Sequence, residues 1–214
     1  MNSGIEAKLI VIWLLGCALA SCDALAQGAS DASRLPRQNW EEDASIRPWD
    51  FGVWFAAATG EENTNSFGEA QILSAGVFAG KTLTGEVGRG WRRGRLEFGF
   101  DVFPLFAQLR PLHLYGTGFD PIILRWNSSL RRGRVVPFIE LGGGAVRTTR
   151  NLPAGDTSNF NFVARGGGGV QVATRRNQSL ELSLRWWHVS NANLGARNPE
   201  FNGVQFSVGW HWHR

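Results

Sequence analysis

Cysteine, methionine, tyrosine and charge are all scarce in this chain. Two cysteines occur in 214 residues, with one Met and one Tyr. Both cysteines, Cys17 and Cys22, fall within the first 26 residues, a segment that reads as an export signal. Lys8 precedes the apolar run Leu9–Leu15, and Ala24-Leu25-Ala26 forms an A-x-A cleavage site before Gln27. Cleavage there leaves no thiol, although export normally permits disulfides. Stability must then come from another source, such as a closed hydrogen-bonded barrel. A competing reading takes Leu19-Ala20-Ser21-Cys22 as a lipoprotein box, with Cys22 lipidated. Charged residues make up 19% of the chain, below the usual quarter, which excludes a disordered tail or a coiled coil.

Other absences narrow the class further. Outside the signal no run of 18 apolar residues exists, so a helical membrane span is excluded while a strand-crossing one is not. No amphipathic helix of useful length appears. The glycine run Gly166–Gly169 is not closed by Lys-Ser/Thr, so it is not a phosphate loop. No His/Cys/Asp cluster has zinc spacing, and neither a metal nor a cofactor is inferred. No nucleic-acid recognition motif accompanies the basic balance. Removing Lys8, Glu6 and Asp23 from 22 basic and 18 acidic residues leaves a net charge of +5. That charge suits anionic lipid or simple solvation of turns.

Glycine, tryptophan and alternation are what the chain has in quantity: 27 Gly, 10 Trp and 14 Phe. Residues 27–48 read as an irregular lead, and residues 49–214 as one β domain. Eight strands are predicted at 49–59, 70–88, 95–108, 119–128, 134–148, 160–174, 179–190 and 203–213. Their connections alternate in length. Loops at 60–69, 110–118, 149–159 and 191–202 are long, and those near 91–94, 129–133 and 176–178 short. This is the rhythm of an eight-stranded antiparallel transmembrane β-barrel of the outer membrane.

Period two divides the strands into two faces. Leu180, Leu182, Leu184 and Trp186 oppose Glu181, Ser183, Arg185 and Trp187. Val204, Phe206, Val208, Trp210 and Trp212 oppose Gln205, Ser207, Gly209, His211 and His213. Glu97, Asp101, Glu140, Arg165, Glu181 and Arg185 then form a mixed-charge face that must pair inside the barrel. A soluble sandwich or lipocalin-like barrel would reverse the faces. The outer-membrane reading is favoured by export, loop rhythm and tryptophans such as Trp49, Trp126, Trp186, Trp210 and Trp212, placed to mark headgroup levels.

Chemistry concentrates in Trp187-His188-Val189-Ser190-Asn191-Ala192. His188 and Ser190 are two apart, so they share the face of Leu180–Trp186. A polar pair on a lipid face is costly unless it has a function. A His beside a Ser can act as base for a hydroxyl nucleophile, given a third group to hold the ring. Glu200 and Asn202 are the candidates, with Gln205 disfavoured by its interior parity. Asn191 is a candidate oxyanion donor through its side chain. The bland alternative is a rim hydrogen bond on a non-catalytic structural or small-solute barrel.

Several stretches carry a resemblance over residues 48–214. They are Leu96-Glu97-Phe98 with Asp101–Phe106, Pro121–Asn127, Pro137–Gly144, Phe160-Asn161-Phe162, and His188-Val189-Ser190-Asn191-Ala192 with Asn198-Pro199. On these the chain resembles the outer-membrane lipid A 3-O-deacylases, also called the PagL-like or acyloxyacyl hydrolase family. The resemblance implies an eight-stranded outer-membrane enzyme that hydrolyses the 3-position acyl ester of lipid A. Its partners would be lipopolysaccharide and outer-membrane lipids, and it would act as a monomer or a homodimer. The family's His and Ser match His188 and Ser190. Its Glu, twelve residues after the Ser, matches position 202, which here is Asn202. Either Asn202 orients His188, or Glu200 reaches in from the loop, or activity is altered. Arg147, Arg150 and Arg197 are loop candidates for lipid A phosphates.

Overall fold

The computed structural model describes residues 48–61, 70–130, 134–152, 157–198 and 200–214. The expected signal at 1–26 and most of the lead fall outside them. Eight strands follow one another: β1 (Trp49–Glu61), β2 (Gln71–Thr82), β3 (Gly94–Arg110), β4 (Leu114–Ser128), β5 (Val135–Thr148), β6 (Phe160–Arg175), β7 (Gln178–Ser190) and β8 (Phe201–His213). Each pairs antiparallel with its neighbour, and β8 returns to β1, closing the barrel. Closure leaves no unpaired strand edge, so the spanning backbone groups pair strand to strand without water outside the register breaks.

The loop rhythm is less regular than the sequence suggests. The second strand ends at Thr82 rather than 88, and a single 3-10 turn, Gly90–Arg92, sits in the connection to β3. The expected long loop after Arg110 is only residues 111–113. Pairing of Gln108 with Leu114 and Ala107 with Tyr115 extends β3 and β4 through it. Register breaks between Phe103 and Phe106 and between Gly99 and Asp101 blur the alternation there, since each bulge resets which residues face inward.

The two faces match the alternation, with the apolar one outside. Phe55 is 70% exposed, and Phe100, Ile139 and Trp186 are also exposed, while Glu97, Asp101, Glu140, Arg165, Glu181 and Arg185 are all buried. The interior charges pair except for Glu97, which accepts a hydrogen bond from Asn127 Nδ2 at 2.7 Å. Arg125 meets Glu140 at 2.8 Å and Glu181 at 2.9 Å. Arg185 meets Glu181 at 3.0 Å and also Glu140. Arg165 joins Asp120 at 3.0 Å and Asp101. His211 Nδ1 lies 2.9 Å from Asp50. A filled, ion-paired interior is what a small barrel needs, because an unpaired charge there is strongly unfavourable.

The glycine run has a specific use in this interior. Gly167 pairs with Glu140 on one side and Arg185 on the other. The Arg185–Glu140 pair therefore crosses over β6 at a position with no side chain. A Cβ on Gly167 would lie 2.2 Å from the Leu184 carbonyl oxygen.

Both strand termini, with the connections at 83–93, 129–134 and 176–177, lie at one end of the barrel. In outer-membrane barrels this is the periplasmic end. Trp49, Trp126, Trp210 and Trp212 mark that rim, and Trp186 lies toward the other.

Candidate active site

Large inward residues set the direction of the chemistry at the outer end of β7 and β8. Trp187, Val189 and Phe201 are buried. Trp187 packs on Phe106 at 5.8 Å and edge-on to Phe201 at 5.7 Å between ring centroids. With these fixed inside, His188, Ser190 and Asn202 must face outward by strand parity. β7 and β8 pair without a register break, and His188 stands opposite Asn202.

The three side chains form a connected set. His188 Nδ1 lies 2.8 Å from Asn202 Oδ1, and His188 Nε2 lies 3.2 Å from Ser190 Oγ. An amide oxygen only accepts, so Nδ1–H is the donor toward Asn202. In the neutral ring Nε2 is then unprotonated and accepts the Ser190 O–H. That is the tautomer a general base requires. Trp186, on the same face, stacks on the imidazole at 5.7 Å with 20° between planes, limiting ring rotation. Trp186 was within reach of the sequence, being two residues before His188. Its role was missed because it was read as a headgroup marker.

Asn191 sits differently from its expected place. It has inward parity and is 2% exposed. Its Nδ2 donates to the Arg197 carbonyl at 2.7 Å, and its Oδ1 accepts the Asn193 N–H at 2.9 Å. The side chain thus ties the loop 191–198 together rather than pointing toward Ser190, which faces the other way. Ala192 and Asn193 adopt left-handed backbone, φ 50° and 64°, a conformation costly for alanine and tolerated where the surroundings enforce it. Asn198 Oδ1 accepts the Asn191 N–H at 2.9 Å, which leaves the Asn198 amide N–H groups for other partners. Asn198 belongs to a stretch that carries the resemblance, but its contact with Asn191 could not be read from the sequence, because an irregular loop has no period.

Glu200 is exposed in the loop before β8, and the ring nitrogen it was a candidate to hold faces Asn202 instead. Gln205 is inside the barrel, 3.5 Å from Ser74 Oγ. Arg147, Arg150 and Arg197 are exposed at the same end of the barrel as Ser190. Among the described residues no cluster of His, Cys, Asp or Glu could hold a metal ion.

A closed barrel with an apolar outer wall defines an outer-membrane β-barrel protein, and a hydroxyl–imidazole pair on that wall is a geometry suited to ester hydrolysis. Residues 37–211 match the family model described as lipid A 3-O-deacylase (PagL). The chain belongs to that family and is an outer-membrane lipid A deacylase, an ester hydrolase. Among solved structures it is similar to the outer membrane enzyme PagL at 20% identity and a TM-score of 0.50, covering 73% of this chain and 97% of that one. It is also similar to Neisserial surface protein A at 16% identity and a TM-score of 0.52, covering 77% and 96%. At these identities the two structures speak to the fold alone. No curated protein matches the chain.

Proposed function

We propose that this chain removes the 3-position acyl chain of lipid A by a covalent serine mechanism. Ser190 is the nucleophile, His188 the base and Asn202 the residue that orients the ring. The observation that carries this reading is the Ser190–His188–Asn202 hydrogen-bonded set on the lipid-facing wall. All three side chains come from β7 and β8 of one protomer, so a homodimer is not required.

In the first step Ser190 Oγ attacks the ester carbonyl carbon while its proton passes to His188 Nε2. Collapse of the tetrahedral species breaks the ester C–O bond. The imidazolium returns the proton to the departing sugar oxygen, leaving acyl-Ser190. Water then attacks the acyl carbonyl, His188 again takes and returns a proton, and the fatty acid leaves. The developing oxyanion needs donors. The Ala192 backbone N–H and the Asn198 amide, whose oxygen is anchored beside Ser190, are the groups this loop can offer.

The wall around the pair suits an acyl chain. Leu184, Trp186, Val204 and Phe206 are exposed beside it, so a chain lying along the wall would meet apolar surface. Asn202 leaves a neutral partner where the family has a carboxylate. It preserves the tautomer but cannot stabilise the imidazolium by charge. The test is mass spectrometry of lipid A from cells expressing wild type or Ser190→Ala. Loss of one ester-linked chain with wild type alone supports the mechanism, and identical lipid A from both ends it.

A further inference from the structure

A serine mechanism makes His188 cationic each time the Ser190 proton reaches Nε2, and here no carboxylate stands beside the ring. Asn202 Oδ1 holds Nδ1 at 2.8 Å, but an amide oxygen carries only a partial charge. Across β6, Ala164 stands opposite His188 and Gly166 opposite Trp186. Across β8, Asn202 stands opposite His188 and Val204 opposite Trp186. None of these four outward neighbours is charged. The wall faces hydrocarbon, where water screens a cation poorly and an uncompensated charge is costly.

An indole does face the ring. Trp186 and His188 are two apart on β7 and share its outer face. Their ring centroids are 5.7 Å apart, with 20° between planes. The face of an aromatic ring is negative, and a cation within about 6 Å of its centroid is attracted, to indole most strongly and more so without water. A neutral imidazole gains little from this contact, whereas an imidazolium gains from it fully. The stack therefore favours the state in which the proton has moved, which is the condition for raising kcat.

We propose that Trp186 is a positioning residue whose indole face stabilises the His188 imidazolium, replacing part of what the family draws from a carboxylate at position 202. This role rests on the proposed serine mechanism. Trp186 is 50% exposed on the wall, so contact with the acyl chain is the rival role, and it has a different kinetic signature. A contact made equally in the ground and transition states changes KM, whereas stabilisation of the imidazolium changes kcat.

Release of fatty acid from lipid A by the purified chain in detergent separates the two. W186L keeps the wall apolar and should lower kcat about tenfold, with KM within about twofold of wild type, and W186F should recover part of the loss. A simple restraint on ring rotation would also respond to leucine, so the deciding readout is electronic. Mono-, di- and trifluorotryptophan, placed at position 186 alone by amber suppression, nearly keep the indole's shape while draining its negative face. kcat should fall stepwise along this series, by about twofold per fluorine, at unchanged folded electrophoretic mobility. In an N202E background the series should flatten, because the carboxylate then stabilises the imidazolium directly. A flat series with Asn202 in place would overturn the proposal, as would a loss confined to KM or a series equally steep with N202E. A folded wild type that releases no fatty acid would defeat the serine mechanism and this role with it, whereas an active wild type with a flat series would defeat the role of Trp186 alone.

Discussion

His188 Nδ1 and Asn202 Oδ1 are 2.8 Å apart, so an amide occupies the place where the family carries a carboxylate. An amide oxygen and a carboxylate hold the same tautomer, but only the carboxylate stabilises the imidazolium. N202E is therefore expected to raise the deacylation rate by about tenfold. N202L, which removes the acceptor for Nδ1–H, should lower kcat by about 100-fold. Release of fatty acid from lipid A in detergent checks both expectations.

Ser190→Ala and His188→Ala should each reduce turnover by at least about 1,000-fold, the scale seen when one member of a catalytic triad is removed. The double variant should be no worse than either single one, since the two residues act as a unit. Neither side chain fills the barrel, so both variants should keep the wild-type unfolding midpoint in urea. A barrel that unfolds markedly earlier would point to a structural role instead.

The eight strands and their two faces were legible because period two survives wherever one face is packed and the other meets lipid. β7 and β8 are the clearest case: every residue from Leu180 to Ser190 has the side the alternation assigns. The bulges in β3 and β4 were not legible, and with them went the lengths of the connections at 83–93 and 111–113. The sequence brought His188, Ser190 and Asn202 to one face but left Glu200 open, because parity does not reach into a loop. Asn191 was misread for the same reason. It sits just past β7, where its partners Asn193 and Arg197 are set by left-handed turns at Ala192 and Asn193 rather than by alternation. The partners of the interior charges were also beyond reach, since Arg125 joins Glu140 and Glu181 across strands distant in sequence.

The loop after β7 offers a separable test. A Cβ on Gly195 would lie 2.9 Å from Asn191 Nδ2 and 3.0 Å from the Thr157 backbone, so alanine there must push against a side chain already bonded at both ends. G195A is expected to lower kcat about tenfold by displacing the Asn191–Asn198 anchor beside Ser190. N191A removes the side-chain ties to Arg197 and Asn193, though not the backbone N–H bond to Asn198, and should act in the same direction. Both changes lie outside the closed sheet, so thermal unfolding should move little. Activity and melting measured on the same preparations distinguish a displaced loop from a destabilised barrel.

Arg185 bridges Glu140 and Glu181 within the barrel and also bonds Ser207. Replacing it by leucine leaves Glu140 and Glu181 to share Arg125 and should destabilise the fold by about 3–5 kcal/mol, the usual effect of removing one member of a buried pair. Removing a second charge should recover part of that loss. R185L/E140L is expected to be more stable than the sum of the single changes, with a coupling of about 1–3 kcal/mol in a double-mutant cycle of urea unfolding. Full recovery is not expected, because Arg125 also uses Glu140, at 2.8 Å, and would be left with Glu181 as its close partner. The folded fraction of each variant should still cleave lipid A, since the reacting side chains sit on the opposite face of the wall. Loss of activity per folded barrel in R185L would show that the interior ion pairs shape the outer site, whereas unchanged activity would show that they serve closure alone.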